Sequence, residues 1–589
     1  MKADSAGTKL PHSSIEPAQP SSAHTAPELL KEGEAGRQSS KNEVWFTRVT
    51  KKLIHLRGMV FLLSFAGGVG LAMTLPPWGF YGLAPFASGL LYACTRGLSA
   101  KGRILAGWLC GLGLFIPGLA WATSFNTAGG VVLIAFEACF MSLAFLIVPP
   151  VRGRPFAFPA ALAITEWARQ SWPFGGLPIG SIALGQASSP LGQTARLGGP
   201  LLIVALVGVA GVFVDAIARA SIIAWQDHRS RQMNQTSTLP EEEVHNEKQT
   251  MPCSRKNAKG HFLTVAALSA VVVVGLDVVA TLAPAGGPPI HRIRVAAVQG
   301  GGKRGLHKFQ VPVSQVFDAQ VIPTEKLIPL SRRQPIQLVL WPEDVISLST
   351  PLVGSPQARI VSDIARAMHT TLVAGVTYPV GTSHFRNEAV AWGPSGRIVA
   401  HYEKVHRVPF GEYVPYRSFF KHFANLSLVP LNAIPGHKSG LLRTPAGPLA
   451  TTISYEVFFA DRGRSAVRAG GELLIVPTNT SSYSTGQVPS QEIAASELQA
   501  IEEGRNLVQA APTGYSAFIN NRGVLQKRTS LGVRQVLIST VPLRDGNTLY
   551  ELTGNLLVNL LSILALLAAW LFTWDIFKRS GWTPPHPQK

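Results

Sequence analysis

Ser454 stands where a nucleophile would be presented: Ile453-Ser454-Tyr455-Glu456 closes the apolar run Leu449 to Ile453, which reads as a buried strand. Leu340-Trp341-Pro342-Glu343 ends a second apolar run, Ile336 to Trp341; Pro342 stops the strand and places a carboxylate at its rim. Such a carboxylate can act as a general base when its surroundings raise its proton affinity. Lys404, in Tyr402-Glu403-Lys404, supplies a cation able to hold that carboxylate and stabilise a developing oxyanion. Behind it, Pro409, Gly411 and Pro415 fix the backbone of a dense loop, and Glu412 projects from that rigid turn. Base, cation and nucleophile together are the parts of covalent acyl transfer. Each one alone has an ordinary explanation: a serine after a strand caps helices, and loop glutamates and lysines are commonly solvated. It is their order and spacing along one chain that point to chemistry.

The elements that must position these residues fall into two kinds. Of 589 residues, 46% are hydrophobic and only 15% charged, with the apolar residues gathered in long runs, so the chain reads as a polytopic membrane protein. Eight candidate spans run roughly over Met59 to Leu75, Tyr81 to Leu98, Ile104 to Phe125, Gly129 to Val151, Phe156 to Ala168, Pro200 to Trp225, Phe262 to Leu282 and Leu556 to Trp574. The fifth is short and ends in Glu166 and Arg169, a pair that either snorkels to the interface or does something more; Asp277 in the seventh is expected to pack or lie at an interface.

Charge sets the expected orientation. The formal charge of +20 comes largely from tails and short links, which speaks for membrane orientation and against a nucleic-acid-binding face. Basic residues recur at Arg48, Lys51 and Lys52, at Arg96, Lys101 and Arg103, at Arg152 and Arg154, from Arg229 to Lys259, and at Lys578 and Arg579, that is, in every second connection. Eight spans with both termini cytoplasmic satisfy this pattern and put the long segment between spans seven and eight outside.

The expected division is a basic, disordered cytoplasmic tail over 1–52, spans one to six over 53–225, a cytoplasmic loop over 226–261 that is also expected to be disordered, span seven over 262–282, an extramembrane domain over 288–547, span eight over 556–577 and a cytoplasmic tail over 578–589. Cys94, Cys110 and Cys139 fall in spans and read as small buried residues, with Cys253 in a loop; no zinc spacing or disulfide framework exists, and the extramembrane domain has no thiol. That domain alternates apolar runs with amphipathic stretches. Strands are expected at Ile293 to Val298, Ile336 to Trp341, Thr371 to Thr377, Glu388 to Trp392, Leu449 to Ile453, Leu473 to Val476, Leu507 to Ala511 and Tyr515 to Ile519, with helices at Gln357 to Met368 and Gln491 to Arg505. A layered α/β domain with a buried sheet follows.

Trp341-Pro342-Glu343, Tyr402 to Lys404 with Val408-Pro409-Phe410-Gly411-Glu412-Tyr413-Val414-Pro415, and Ser454-Tyr455-Glu456 together resemble the apolipoprotein N-acyltransferases, membrane-embedded members of the nitrilase (carbon–nitrogen hydrolase) superfamily. Glu166-Trp167-Ala168-Arg169, Gly175-Gly176-Leu177-Pro178 and Glu503-Gly504-Arg505 extend the resemblance, which covers about Met59 to Trp574. It implies an α-β-β-α sandwich inserted before the last span of a bacterial inner-membrane protein and held at the outer leaflet. It implies Glu343 as general base, Lys404 as oxyanion partner and position 454 as nucleophile, with Glu412, Tyr455 and Glu456 shaping the site, and no metal or cofactor. It also implies transfer of an acyl chain from a membrane phospholipid to the α-amino group of the diacylglyceryl-cysteine that begins a lipoprotein. Two departures stand out: Ser454 replaces the family's cysteine, and the loop Gln299 to Phe309 offers Gly302, Lys303, Arg304 and His307 in place of a tryptophan. A hydroxyl is harder to ionise than a thiol, and an oxyester is a poorer donor to an amine than a thioester. A weak or inactive homologue that binds lipoprotein or lipid or supports another acyltransferase, and an amidase or lipid hydrolase of the same superfamily, are the alternatives.

Overall fold

The computed structural model describes residues 58–150, 153–236, 252–302, 311–422, 426–483 and 486–579. The tail over 1–52, the departures at Lys303, Arg304 and His307, and the chain beyond residue 579 lie outside the described residues.

All eight apolar segments contain helix: Gly58–Ala72, Ala84–Cys94, Ala100–Gly118, Thr127–Ile147, Arg154–Ser171, Ala195–Thr236, Pro252–Leu282 and Leu556–Arg579. Four stretches among them, Thr127–Ile147, Pro190–Gln232, Lys256–Leu282 and Leu556–Trp574, are long and apolar enough to cross a membrane. Small residues let the helices touch. A Cβ at Gly68 would lie 2.0 Å from the Cys110 carbonyl oxygen, and one at Gly113 would lie 2.2 Å from that of Phe65. Ser99 and Asn126 cap their helices by accepting from the Gly102 and Gly129 amides. The expected sixth span begins at Pro200 because the helix breaks just before it, with Gly199 at a φ of 66°.

Several expectations are corrected here. The 226–261 loop is helical at both ends, since the flanking helices continue to Thr236 and start again at Pro252; only 237–251 lies outside the described residues. Its polar residues are competent helix formers once an apolar helix has nucleated the turn. The third apolar segment ends as helix at Gly118, just after Pro117, and continues as a 3₁₀ turn over Ala120–Ser124. Cys94 and Cys110 are buried, but Cys139 is exposed on its helix face. The basic links are not simply solvated either. Arg96 pairs with the Asp215 carboxylate, while Arg103 donates to the Val148 carbonyl and Arg154 to the Tyr92 carbonyl at 2.8 Å, so the last two also satisfy carbonyls near helix ends.

Among the described residues, fourteen strands lie between the last two of these helices: β1 His291–Gln299, β2 Leu338–Leu340, β3 Ile346–Ser347, β4 Thr371–Val380, β5 His384–Trp392, β6 Ile398–Glu403, β7 Asn432–Ala433, β8 Leu441–Thr444, β9 Gly447–Thr451, β10 Leu473–Pro477, β11 Leu507–Ala510, β12 Ala517–Ile519, β13 Leu525–Arg528 and β14 Gln535–Leu543. They form two sheets, ordered β14-β1-β2-β4-β5-β6 (with β3 on β4 and β7 on β5) and β13-β12-β11-β10-β9-β8. Parallel pairing at the centre of each, β2 with β1 and β4, β10 with β9 and β11, gives the continuous apolar runs legible in the sequence.

The sheets face each other across Val295, Leu338, Leu340, Val373, Leu449, Leu473, Ile475 and Val508. Helices Val313–Glu325 and Pro356–Met368 cover the first sheet, and Ala460–Arg468 and Gln487–Glu503 cover the second. The result is an α-β-β-α sandwich. Its last helix is unusual in being polar yet buried at nearly every residue. One of its faces packs on the second sheet and the other against the Ala195–Thr236 helix and the turn Ile182–Gln186.

Candidate active site

Glu343 follows β2 in a turn whose next residue, Asp344, has a φ of 53°. Its amide donates to the Thr478 carbonyl at the end of β10 (3.3 Å), which ties the rims of the two sheets together. Gly375 in β4 leaves room for it, since a Cβ there would lie 2.4 Å from the Glu343 Cα. Lys404 follows β6, and its amide donates to the Asn387 carbonyl of β5 at 2.9 Å. The Lys404 ammonium donates to Glu343 Oε1 at 2.9 Å and to Glu412 Oε1 at 3.0 Å. Asn387 Nδ2 donates to the same two oxygens, each at 2.9 Å. Glu412 stands on a turn in which its own amide donates to the Val408 carbonyl, while the Val408 amide returns to Glu412 Oε2 at 2.8 Å. Three of the residues singled out in the sequence therefore meet in one buried cluster.

The charges are tuned by that packing. Burial raises the proton affinity of Glu343 and Lys404 lowers it, while Glu412 opposes ionisation; the balance lies above the usual carboxylate range. Burial alone would favour a neutral amine at Lys404, but the two carboxylates beside it hold it firmly as an ammonium. This is a carboxylate with raised proton affinity next to a fixed cation, an arrangement able to serve general-base and oxyanion chemistry.

Ser454 opens the 3₁₀ turn Ser454–Phe458 and is left-handed, with a φ of 51°. For a residue with a side chain that conformation costs roughly 1–2 kcal/mol. Strain of this kind characterises the sharp turns that expose nucleophiles. The strand before it ends at Thr451, two residues short of the expected Ile453; the Thr452 amide still donates to the Ile475 carbonyl (3.1 Å), and Ile453 is the extended residue that leads into the turn. Among the described residues none hydrogen-bonds the Ser454 hydroxyl.

Glu456 closes the arrangement. Fully buried, it accepts from the amides of Ile453 (2.8 Å), Val405 (2.7 Å) and His406 (3.1 Å) and from the Tyr402 hydroxyl at 2.9 Å. It thus pins the Ser454 turn to the backbone immediately after Lys404. Tyr455 points the other way, its hydroxyl donating to the Gly176 carbonyl at 2.9 Å.

The structure adds residues the sequence reading passed over. Asn387 sits one residue before the expected start of its strand, in the polar stretch Arg386-Asn387-Glu388, where no apolar pattern marks it. Behind Glu343, the Thr478 hydroxyl meets Glu492, a buried acid whose carboxyl burial pushes up to about 8 and which also accepts from Gln509 at 3.2 Å. Glu388, His401 and Glu403 place ligand atoms within 4.8 Å of one another, a possible cation site. Its charge is already met: Arg386 pairs with Glu403 and lies 3.9 Å from Glu388, and Lys438 approaches His401 at 3.3 Å.

Two segments of the chain match known family models. The family model described as apolipoprotein N-acyltransferase N-terminal domain matches residues 67–213, and that described as carbon-nitrogen hydrolase matches 294–549. An apolipoprotein N-acyltransferase of Mycolicibacterium smegmatis is 28% identical over 492 residues, covering 79% of this chain and 77% of that protein. One of Methylococcus capsulatus is 26% identical over 522 residues, covering 84% and 92% respectively. Among solved structures, an amidase from Nesterenkonia sp. AN1 is 19% identical with a TM-score of 0.32, covering 42% of this chain and 93% of that one.

Proposed function

We infer that this chain, which belongs to the apolipoprotein N-acyltransferase family, transfers a fatty acyl chain from a membrane phospholipid to the α-amino group of the diacylglyceryl-cysteine at a lipoprotein's N-terminus. The buried Glu343–Lys404–Glu412 cluster, tied through Glu456 to the strained Ser454 turn, is the observation that carries the reading. In it, Ser454 Oγ attacks the phospholipid ester carbonyl while Glu343 takes the hydroxyl proton. The oxyanion is stabilised by Lys404. Collapse breaks the bond to the glyceryl oxygen, which leaves as lysophospholipid with the proton from Glu343, and the acyl group remains as an oxyester on Ser454. The lipoprotein amine then attacks that ester, passes a proton to Glu343 and leaves as an amide, and the proton returns to Ser454 Oγ.

Glu412, Tyr455 and Glu456 hold this geometry, with no metal or cofactor in any step. Eight crossings with cytoplasmic termini would place the sandwich, inserted before the last span, on the outer face of the bacterial inner membrane. The alternation of basic links supports that arrangement, and both substrates are anchored there. The test is expression in cells depleted of their own N-acyltransferase, with lipoprotein N-termini read by mass spectrometry. The wild-type chain restores the N-linked acyl group and Ser454→Ala does not; restoration by Ser454→Ala would overturn the nucleophile assignment.

A further inference from the structure

The segment after the Arg154–Ser171 helix is a strap bonded from two sides. From the membrane helices Arg169 holds it. This guanidinium is buried, pairs with Glu166 through two contacts (2.7 and 2.9 Å) and with Glu137 at 3.2 Å, and donates to the carbonyls of Leu177 and of Ile179 (3.1 Å). Of the two readings of Glu166 and Arg169, a snorkelling pair or something more, the buried pair is an interior anchor, since burying both charges demands partners on every side.

From the sandwich three residues grip the same strap. Tyr455, next to the nucleophile, donates to the Gly176 carbonyl at 2.9 Å. Tyr413, next to Glu412, donates to the Phe174 carbonyl at 3.1 Å, and Gln491 accepts from the Gly180 amide at 2.9 Å. The strap cannot be rebuilt freely: Gly176 has a φ of 85°, and a Cβ there would lie 2.1 Å from the Gln170 carbonyl carbon. A small cavity lined in part by Pro178, Ser181, Val457 and Phe458 lies beside this contact, and Leu177 and Ile179 pack in the same apolar cluster as Tyr455 and Phe458, so packing and hydrogen bonds both join strap and turn.

We propose that Arg169 and the strap over residues 173–180 are positioning elements for acyl transfer, setting the Ser454 turn against the Glu412 turn through Tyr455 and Tyr413. The inference rests on the nucleophile assignment above. Both catalytic turns lean on one segment that the membrane helices hold, and a displacement of about 1 Å in such a site costs on the order of a hundredfold in rate.

The experiment uses the full-length protein in phospholipid micelles and compares Tyr413→Phe/Tyr455→Phe, Arg169→Lys and the triple variant. Measured are kcat and KM for acyl transfer, thermal melting, and covalent labelling of Ser454 by a lipid fluorophosphonate. The double tyrosine variant, which loses only two hydroxyls, should melt like wild type yet lose roughly tenfold or more in kcat with KM within about twofold. Arg169→Lys should lose a similar factor, and the triple variant little more, because all act through the same strap. Wild-type kcat in the tyrosine variant, losses that multiply, or a change confined to KM would overturn the proposal. Absence of label on wild-type Ser454 alongside coupled kcat losses would instead overturn the nucleophile and leave the strap supported.

Discussion

Two buried charge clusters in this molecule share a formula, two glutamates around one cation, and differ in what the cation has left to give. On the Arg154–Ser171 helix, Arg169 spends its guanidinium on Glu166, Glu137 and two backbone carbonyls. In the sandwich Lys404 donates to Glu343 and Glu412 only, among the described residues, and an ammonium has three donors. The saturated cluster can only hold structure in place. The unsaturated one keeps a donor for charge that appears during a reaction, and its carboxylates are arranged asymmetrically, Glu412 held by a backbone amide and Glu343 presented at a strand end.

The sharpest way to break that contrast is to remove the base. Glu343→Gln keeps the size and one acceptor, and should lower acyl transfer by about 10²–10⁴-fold with the protein still folded. The pH profile adds a sign. Glu343 works deprotonated, so wild-type kcat/KM should fall with acid through a pKa above the ordinary 4.5, and the Gln variant should lose that limb.

Next in size, Ser454→Cys restores a thiol to a site otherwise intact and should raise the acylation rate by roughly tenfold or more. No gain would mean that the cluster, not the nucleophile, limits the reaction. A smaller effect is expected one layer back. Glu492 is pushed up to about 8 in the fold against 4.5 ordinarily, so the folded state keeps a proton the unfolded chain releases, and stability falls as pH rises from about 4.5 to about 8. Glu492→Gln should flatten that slope in thermal melts. Smallest of all, the exposed Asp363–Arg366 pair should matter little: Asp363→Ala should change stability by less than about 1 kcal/mol.

What was legible in the sequence follows the same logic of burial. Central parallel strands, buried on both faces, gave readable apolar runs. The edge strands β6, β13 and β14 did not, because their residues alternate irregularly between buried and exposed. The helix Gln487–Glu503 was legible only in part, since burial against both sheet and membrane helices leaves no polar face to mark its register. At the site, Glu343, Lys404, Glu412 and Ser454 were marked by motifs at strand ends. Asn387 was not, and the Gly175-Gly176-Leu177-Pro178 motif gave no sign of what it bonds, because the partners lie far away in the chain: Tyr455 is 279 positions from Gly176.

The central claim is that Ser454 carries the acyl group. Incubating the purified protein with phospholipid in the absence of an amine acceptor, then mapping peptides by mass spectrometry, tests it directly. The account predicts an acyl mass on the peptide containing Ser454 that disappears when a diacylglyceryl-cysteine peptide is added and never forms in Ser454→Ala. Acyl transfer proceeding with no adduct at Ser454, or undiminished in Ser454→Ala, would contradict it.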